Sequence, residues 1–193
     1  MKKIVNEPVA YVDEMLEGLC PAHPEYFRRS GPQGRLISRA TGVVPRKVGI
    51  VSGGGSGHLA VFTGFVGRGL LDACAIGEVF SSPLVDQMAE AIRVANGGAG
   101  VLRLYGNYGG DNMEFRHRRR NRRDRSHRDN HSASRRRCGQ RQSRKALKTA
   151  WCSGLLYAVK MAGAKAESMA GLQEVTAAYR SSSQSCPKIL DWR

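Results

Sequence analysis

The chain has 193 residues, 41% of them hydrophobic, and a formal net charge of +15, which favours one domain, or two small ones, with enough chain for a real core. The charge is local: residues 116–148 hold 15 Lys or Arg and 2 Asp, against 16 basic and 14 acidic residues in all the rest. A nearly neutral body with one basic stretch is therefore expected, not a nucleic-acid or membrane-surface binder throughout.

In chain order, Pro8 to Gly18 reads as a helix, because Val9, Val12, Met15 and Leu16 recur at three- and four-residue spacing. Cys20-Pro21-Ala22-His23-Pro24 is expected to break it. Residues 25–46 read as a loop with a short strand near Leu36-Ile37. Three apolar runs follow, Val48–Val51, Ala73–Phe80 and Gly100–Tyr105, each ending in a polar, glycine- or serine-rich cluster. Between them, His58–Gly69 and Leu84–Ala95 read as helices, the second with Leu84, Met88, Ala91 and Ile92 on one face. Strands alternating with helices predict an α/β fold, a mostly parallel sheet with flanking helices. Ligands of such sheets bind at the carboxyl ends of strands, so the three polar clusters are expected on one edge.

From Arg116 to Ala146 there is no Val, Ile, Leu, Met, Phe, Trp or Tyr. Such a stretch buries too little apolar area to offset its ordering entropy and predicts an irregular Arg-rich insert. Globular sequence resumes at Leu147, with a helix to about Ala166, a second from Leu172 to Tyr179, and a tail without pattern. The division is therefore 1–115, an N-terminal α/β region; 116–146, a basic low-complexity insert; and 147–193, a helical continuation of the same domain. No run reaches the roughly 18–20 apolar residues of a spanning helix, and the N-terminus meets acids at Glu7 and Asp13 without an apolar core segment, unlike a signal peptide. Five dispersed cysteines without a C-x-x-C pair suit reduced thiols and a cytoplasmic protein. His117, His127, His131 and Cys138 lack zinc-site spacing and lie among arginines, so no metal is expected.

The stretch SGGGSGH at 52–58 is neither G-x-x-x-x-G-K-[ST] nor G-x-G-x-x-G. Its small residues would let main-chain N–H groups approach an oxygen-rich ligand, or would simply relieve crowding in a strand-to-helix turn. His58 at its end and Asp111 after the third run could form a general acid/base pair. Singly, His58 could equally be structural, and Asp111 could cap a helix.

Together, SGGGSGH at 52–58, GEVFSSP at 77–83 and NYGGD at 107–111, with AHPEY at 22–26 and GLLYAVKMAGAKAE at 154–167, resemble the dihydroxyacetone kinase substrate-binding subunit family. The resemblance covers Met1 to Phe115 and resumes from about Gly154 to Tyr179. It implies phosphorylation of a small ketose at a terminal hydroxyl. Gly55, Ser56, Gly57 and His58 match its substrate-contacting element, and Ser82, Gly106 and Asn107 fall beside the same pocket. His58 matches a histidine that hydrogen-bonds the ketose, and Asp111 matches the proposed general base. Phosphoryl transfer needs an aligned hydroxyl, a proton acceptor and charge stabilisation. The resemblance places ATP-Mg, or a phosphoprotein donor, on a nucleotide-binding partner subunit or domain, so no cofactor is expected on this chain. A homodimer is the family habit; nucleic acid is not expected as a partner.

Three departures bear on this reading. Gly106 stands where the dihydroxyacetone-specific form has Lys, and Leu59-Ala60 where Glu-Pro is common, as in a sister branch acting on four-carbon ketoses such as erythrulose. The insert from Arg116 to about Ser153 replaces core elements and reads as translation in a shifted frame. The family's later histidine, which traps the substrate carbonyl covalently, has no counterpart before Arg193, so the polypeptide as written is expected to be a binding remnant or nearly inactive.

Overall fold

The computed structural model describes residues 6–31, 33–58, 63–105, 129–133 and 144–189. Helix α1, Tyr11–Ala22, buries Val12 and Leu16, four residues apart, and carries Asp13 and Glu14 in its first turn, where carboxylates favour the helix dipole. It runs through Pro21 rather than breaking before it. Proline in the last turn forfeits one hydrogen bond only, and the amide of His23 closes the end by donating to Leu19 O at 3.2 Å.

Residues 25–46, expected as loop with a short strand near Leu36-Ile37, hold a hairpin: that strand is β2, Leu36–Arg39, and β1, Phe27–Ser30, pairs antiparallel with it in register Phe27↔Arg39 to Ser30↔Leu36. The sequence FRRS lacks apolar alternation. It is ordered because β2 offers its main chain a partner, a tertiary effect that strand propensity does not carry. Strands β3, Gly49–Gly55, β4, Ala73–Gly77, and β5, Val101–Tyr105, lie within or extend the three expected runs. The sheet order is β1-β2-β4-β3-β5-β6, with β6 at Asp129–Ala133. β3 runs parallel to β4 and to β5, and β5 parallel to β6; β2 joins β4 antiparallel. β6 lies inside the stretch expected to be irregular. Ladder hydrogen bonds need no apolar side chain, which is how these five residues depart from that expectation; residues 116–128 and 134–143 lie outside the described residues.

Of the helix expected over His58–Gly69, residues 59–62 lie outside the described residues; on either side of them the chain forms 3₁₀ turns, Ser56–His58 and Thr63–Phe65. Gly64, Gly67 and Gly69 fall in six residues, and Gly69 is left-handed at φ 72°, a composition that disfavours helix. Helix α2, Val85–Ala95, falls within its expected span, except that Leu84, expected on its apolar face, caps it and stays exposed; the amide of Leu84 donates to the Gln87 side chain at 2.9 Å and fixes the start. It packs Met88, Ala91, Ile92 and Ala95 on one face of the sheet, against Leu36, Val51, Ala73, Ala75 and Val101.

The other face presents Ile37, Ile50, Cys74, Ile76, Leu102 and Leu104 to α1, to α3, Arg144–Glu167, and to α4, Leu172–Ile189. Ala158, Val159, Ala162 and Ala166 of α3 and Val175 and Tyr179 of α4 are buried there. Burying each larger side chain contributes roughly 1.5–3 kcal/mol. α4 continues past Tyr179 to Ile189, since a helix anchored by packed residues propagates at little further cost.

At the edge where β3 and β4 begin, a buried ion cluster closes this layer. Lys47 Nζ reaches both oxygens of Asp72, at 2.8 and 2.7 Å, and Arg39 bonds Asp72 at 2.9 Å and Glu167 of α3 at 2.6 Å. The Ile50 amide also donates to Asp72, at 2.8 Å. Pairing and hydrogen bonding together are what make such buried charges tolerable.

Candidate functional site

The register pairs Gly55 with Gly77 across β3 and β4, so SGGGSGH and GEVFSSP leave the sheet side by side at its carboxyl edge, as expected. β5 runs the same way and ends at Tyr105. Gly106, Asn107 and Asp111, at the start of the third cluster, lie outside the described residues. So does the side chain of His58, whose main chain ends the 3₁₀ turn.

The two described clusters are joined main chain to main chain. Ser56 N donates to Glu78 O at 3.0 Å, and Gly57 N donates to Val79 O at 2.9 Å. These two amides are therefore spent on the neighbouring loop rather than held open toward a ligand, the first of the two readings of this stretch. The small residues serve the close approach: a Cβ on Gly77 would lie 2.1 Å from Ser81 O, and one on Gly57 would lie 2.5 Å from Val79 O. The reading of the SGGGSGH glycines as relief of crowding thus holds at Gly57, and Gly77 serves the same close approach from the facing loop.

What the turn leaves over is a hydroxyl. Ser56 is 4% exposed, and its Oγ has no hydrogen-bond partner among the described residues. A buried polar atom left unsatisfied costs about 1–3 kcal/mol, a cost that a ligand hydroxyl or carbonyl could relieve. Ser82 is half-buried in the loop beside it. Cys74, on β4 beneath the site, is no nucleophile: burial pushes its thiol well above the ordinary range.

The loop after β4 is held from below by residues the sequence reading did not single out. Arg35, opening β2, bonds both oxygens of Asp13 on α1, at 3.0 and 2.9 Å, and Oε1 of Glu78 at 2.5 Å. The Arg35 hydrogen bond, against some desolvation, holds the Asp13 carboxyl below its ordinary value, with help from the Arg35 and Arg29 charges. Asp13, Arg35 and Glu78 lie 22 and 43 positions apart, so no local pattern announces them. AHPEY, by contrast, lies at the amino edge. His23 turns the chain from α1 into β1, its carbonyl accepting from Tyr26 N and Phe27 N at 3.1 and 3.0 Å, and its ring meets Phe27 edge-on. Among the described residues no group of three His, Cys, Asp or Glu is placed to hold a metal, and no helix is long and apolar enough to cross a membrane.

Comparison with known proteins agrees with this architecture. The Dak1 domain model matches residues 17–189. The dihydroxyacetone-binding subunit DhaK of a PTS-dependent dihydroxyacetone kinase from Listeria innocua is 46% identical over 115 residues, 60% of this chain and 34% of that protein. A D-erythrulose kinase from Mycolicibacterium smegmatis is 41% identical over 115 residues, 60% of this chain and 19% of that one. The crystal structure of the C. freundii dihydroxyacetone kinase with AMP-PNP and Mg2+ superposes with a TM-score of 0.80 at 25% identity, covering 95% of this chain and 34% of that one. The chain thus spans about a third or less of the length of these relatives. With the domain match running through most of its sequence, the chain belongs to the Dak1 domain family.

Proposed function

We propose that this chain is the substrate-binding component of a ketose kinase, taking dihydroxyacetone and presenting its terminal hydroxyl to a phosphoryl donor carried by a partner subunit or domain. The observation that carries the reading is the Gly55↔Gly77 register, which brings the glycine turn, its buried Ser56 hydroxyl, unpaired among the described residues, and the Ser82 loop to one sheet edge. Family membership and the names of its relatives supply the substrate class.

In this scheme Gly55, Ser56, Gly57 and Ser82 shape the pocket, with Gly106 and Asn107 from the end of β5. His58 hydrogen-bonds the ketose. Asp111 takes the proton of the attacking hydroxyl as its oxygen bonds phosphorus and the donor's oxygen departs. ATP-Mg or a phosphoprotein would supply the phosphoryl group from the partner. Placement in a cytoplasmic compartment and pairing as a homodimer belong to the same proposal.

A four-carbon ketose is the second reading. Gly106 replaces a lysine that would narrow the pocket, and an erythrulose kinase is among the relatives.

The test is ketose binding by saturation-transfer NMR, then phosphorylation with the remaining subunits of a family kinase. Dihydroxyacetone should bind, and Ser56→Val should weaken it. His58→Ala and Asp111→Asn should each lower whatever turnover is seen by about 10²–10⁴, the usual worth of acid–base groups. Erythrulose bound tenfold more tightly than dihydroxyacetone would establish the second reading. Binding of neither sugar would overturn both.

A further inference from the structure

The loop that borders the site carries an aromatic side chain with nowhere to go. Phe80 is 93% exposed, and Leu84, four residues on, is 59% exposed. Single exposed apolar residues are ordinary, so exposure alone says little. The main chain around Phe80, however, is held on both sides. Glu78 is tied by its carboxylate to Arg35, and its carbonyl accepts from Ser56 N at 3.0 Å and Ser81 N at 3.3 Å. The Val79 carbonyl accepts from Gly57 N. Leu84 is fixed in turn by Gln87 at the start of α2. A large apolar side chain on a pinned backbone forgoes burial without being free to find it by moving. That combination marks interface anchors, where aromatic residues presented rigidly lose little entropy on binding.

Location decides what covers it. Phe80 and Leu84 flank Ser82 on the edge where the ketose is placed, so this inference rests on the kinase reading above. A phosphoryl donor must come within bonding distance of the substrate hydroxyl. Whatever body carries the donor therefore covers this edge, and the rim residues fall within its footprint. We propose that Phe80, supported by Leu84, is the apolar anchor on which the nucleotide- or phosphate-carrying partner docks.

The experiment uses the full chain with the remaining subunits of the Listeria innocua kinase, loaded with ADP-Mg, and reads affinity by calorimetry. Phe80→Ala should weaken partner binding at least tenfold, and Leu84→Ser by a smaller factor, while dihydroxyacetone affinity stays within twofold. A photoreactive p-benzoylphenylalanine introduced at position 80 should cross-link to the partner. Unchanged partner affinity in Phe80→Ala, no binding by the unaltered chain, or a cross-link to a second copy of this chain each overturns the proposal. Loss of dihydroxyacetone binding in the unaltered chain, with the Phe80 effect on the partner intact, would instead sink the substrate reading and leave the anchor standing.

Discussion

The amide of Gly57 donates to the carbonyl of Val79 at 2.9 Å, and a Cβ on Gly57 would lie 2.5 Å from that same oxygen. The side chain is missing where two main chains must touch. At Gly77 the approach is closer still, with Ser81 O at 2.1 Å and Pro83 N at 2.8 Å. Because the obstructing atoms are backbone, they have little room to give. Gly77→Ala should destabilise the fold by about 1–3 kcal/mol, the range for overpacking, and abolish ketose binding. Gly57→Ala should do the same more mildly. Denaturant unfolding with a parallel binding titration checks both.

Arg35 links α1, β2 and the site loop through Asp13 and Glu78. Arg35→Met keeps the stem and removes the charge. The amides of Ser56 and Gly57, held by the carbonyls of Glu78 and Val79, should then exchange with solvent faster, while those of Ile50, bonded to Asp72 at the far end of β3, and of Leu102 in β5 keep their protection. Hydrogen exchange resolved by residue distinguishes this local loosening from global unfolding, in which all four would rise together.

Glu167 ties α3 to the sheet. Burial alone would raise its pKa, but the Gly69 amide, Arg39 and Lys47 outweigh that, and the carboxyl titrates below its ordinary value of 4.5. A depressed folded-state pKa contributes stability that is complete above the unfolded value and disappears as pH falls through the folded one. Glu167→Gln should therefore cost about 1.5–3 kcal/mol at neutral pH, the range for hydrogen bonds to charged groups. The gap between the variant and the parent should close on acidification below pH 4.5. Melting curves over that range check it, and a gap independent of pH would contradict it.

The apolar runs that became β3, β4 and β5 were legible because buried parallel strands read as continuous Val, Ile, Leu and Ala. α2 was legible because its one-sided face repeats at helical spacing. β1 was not, since FRRS gains its order from β2 rather than from its own residues. Nor was the ion cluster, because Arg39, Lys47, Asp72 and Glu167 converge only after folding. At the site, the sequence placed two polar clusters on one sheet edge but left the amides of Ser56 and Gly57 open: a glycine-rich pattern does not say whether its N–H groups face a ligand or the next loop. The third cluster, with Asp111, lies outside the described residues.

Gly18 lies inside α1 with open space around its Cα. Alanine there would remove the entropy penalty of a helical glycine and clash with nothing. Gly18→Ala should raise stability by about 0.5–1 kcal/mol, read as an upward shift in Tm without change in ketose affinity.

For residues 116–153 the checking measurement is the encoding DNA. An alternative frame from codon 116 should encode alternating apolar residues in place of the arginines. If neither other frame does so, the segment is a genuine basic stretch.

The charged cluster and the glycine turn stand at opposite ends of the seven-residue strand β3, on the order of 20 Å apart. On the reading proposed above, heat tolerance and ligand binding are then governed from separate poles of the molecule: substitutions at Arg39, Lys47 or Glu167 should move the melting temperature with little effect on ketose affinity, and the proposed pocket could be reshaped without first re-engineering the foundation.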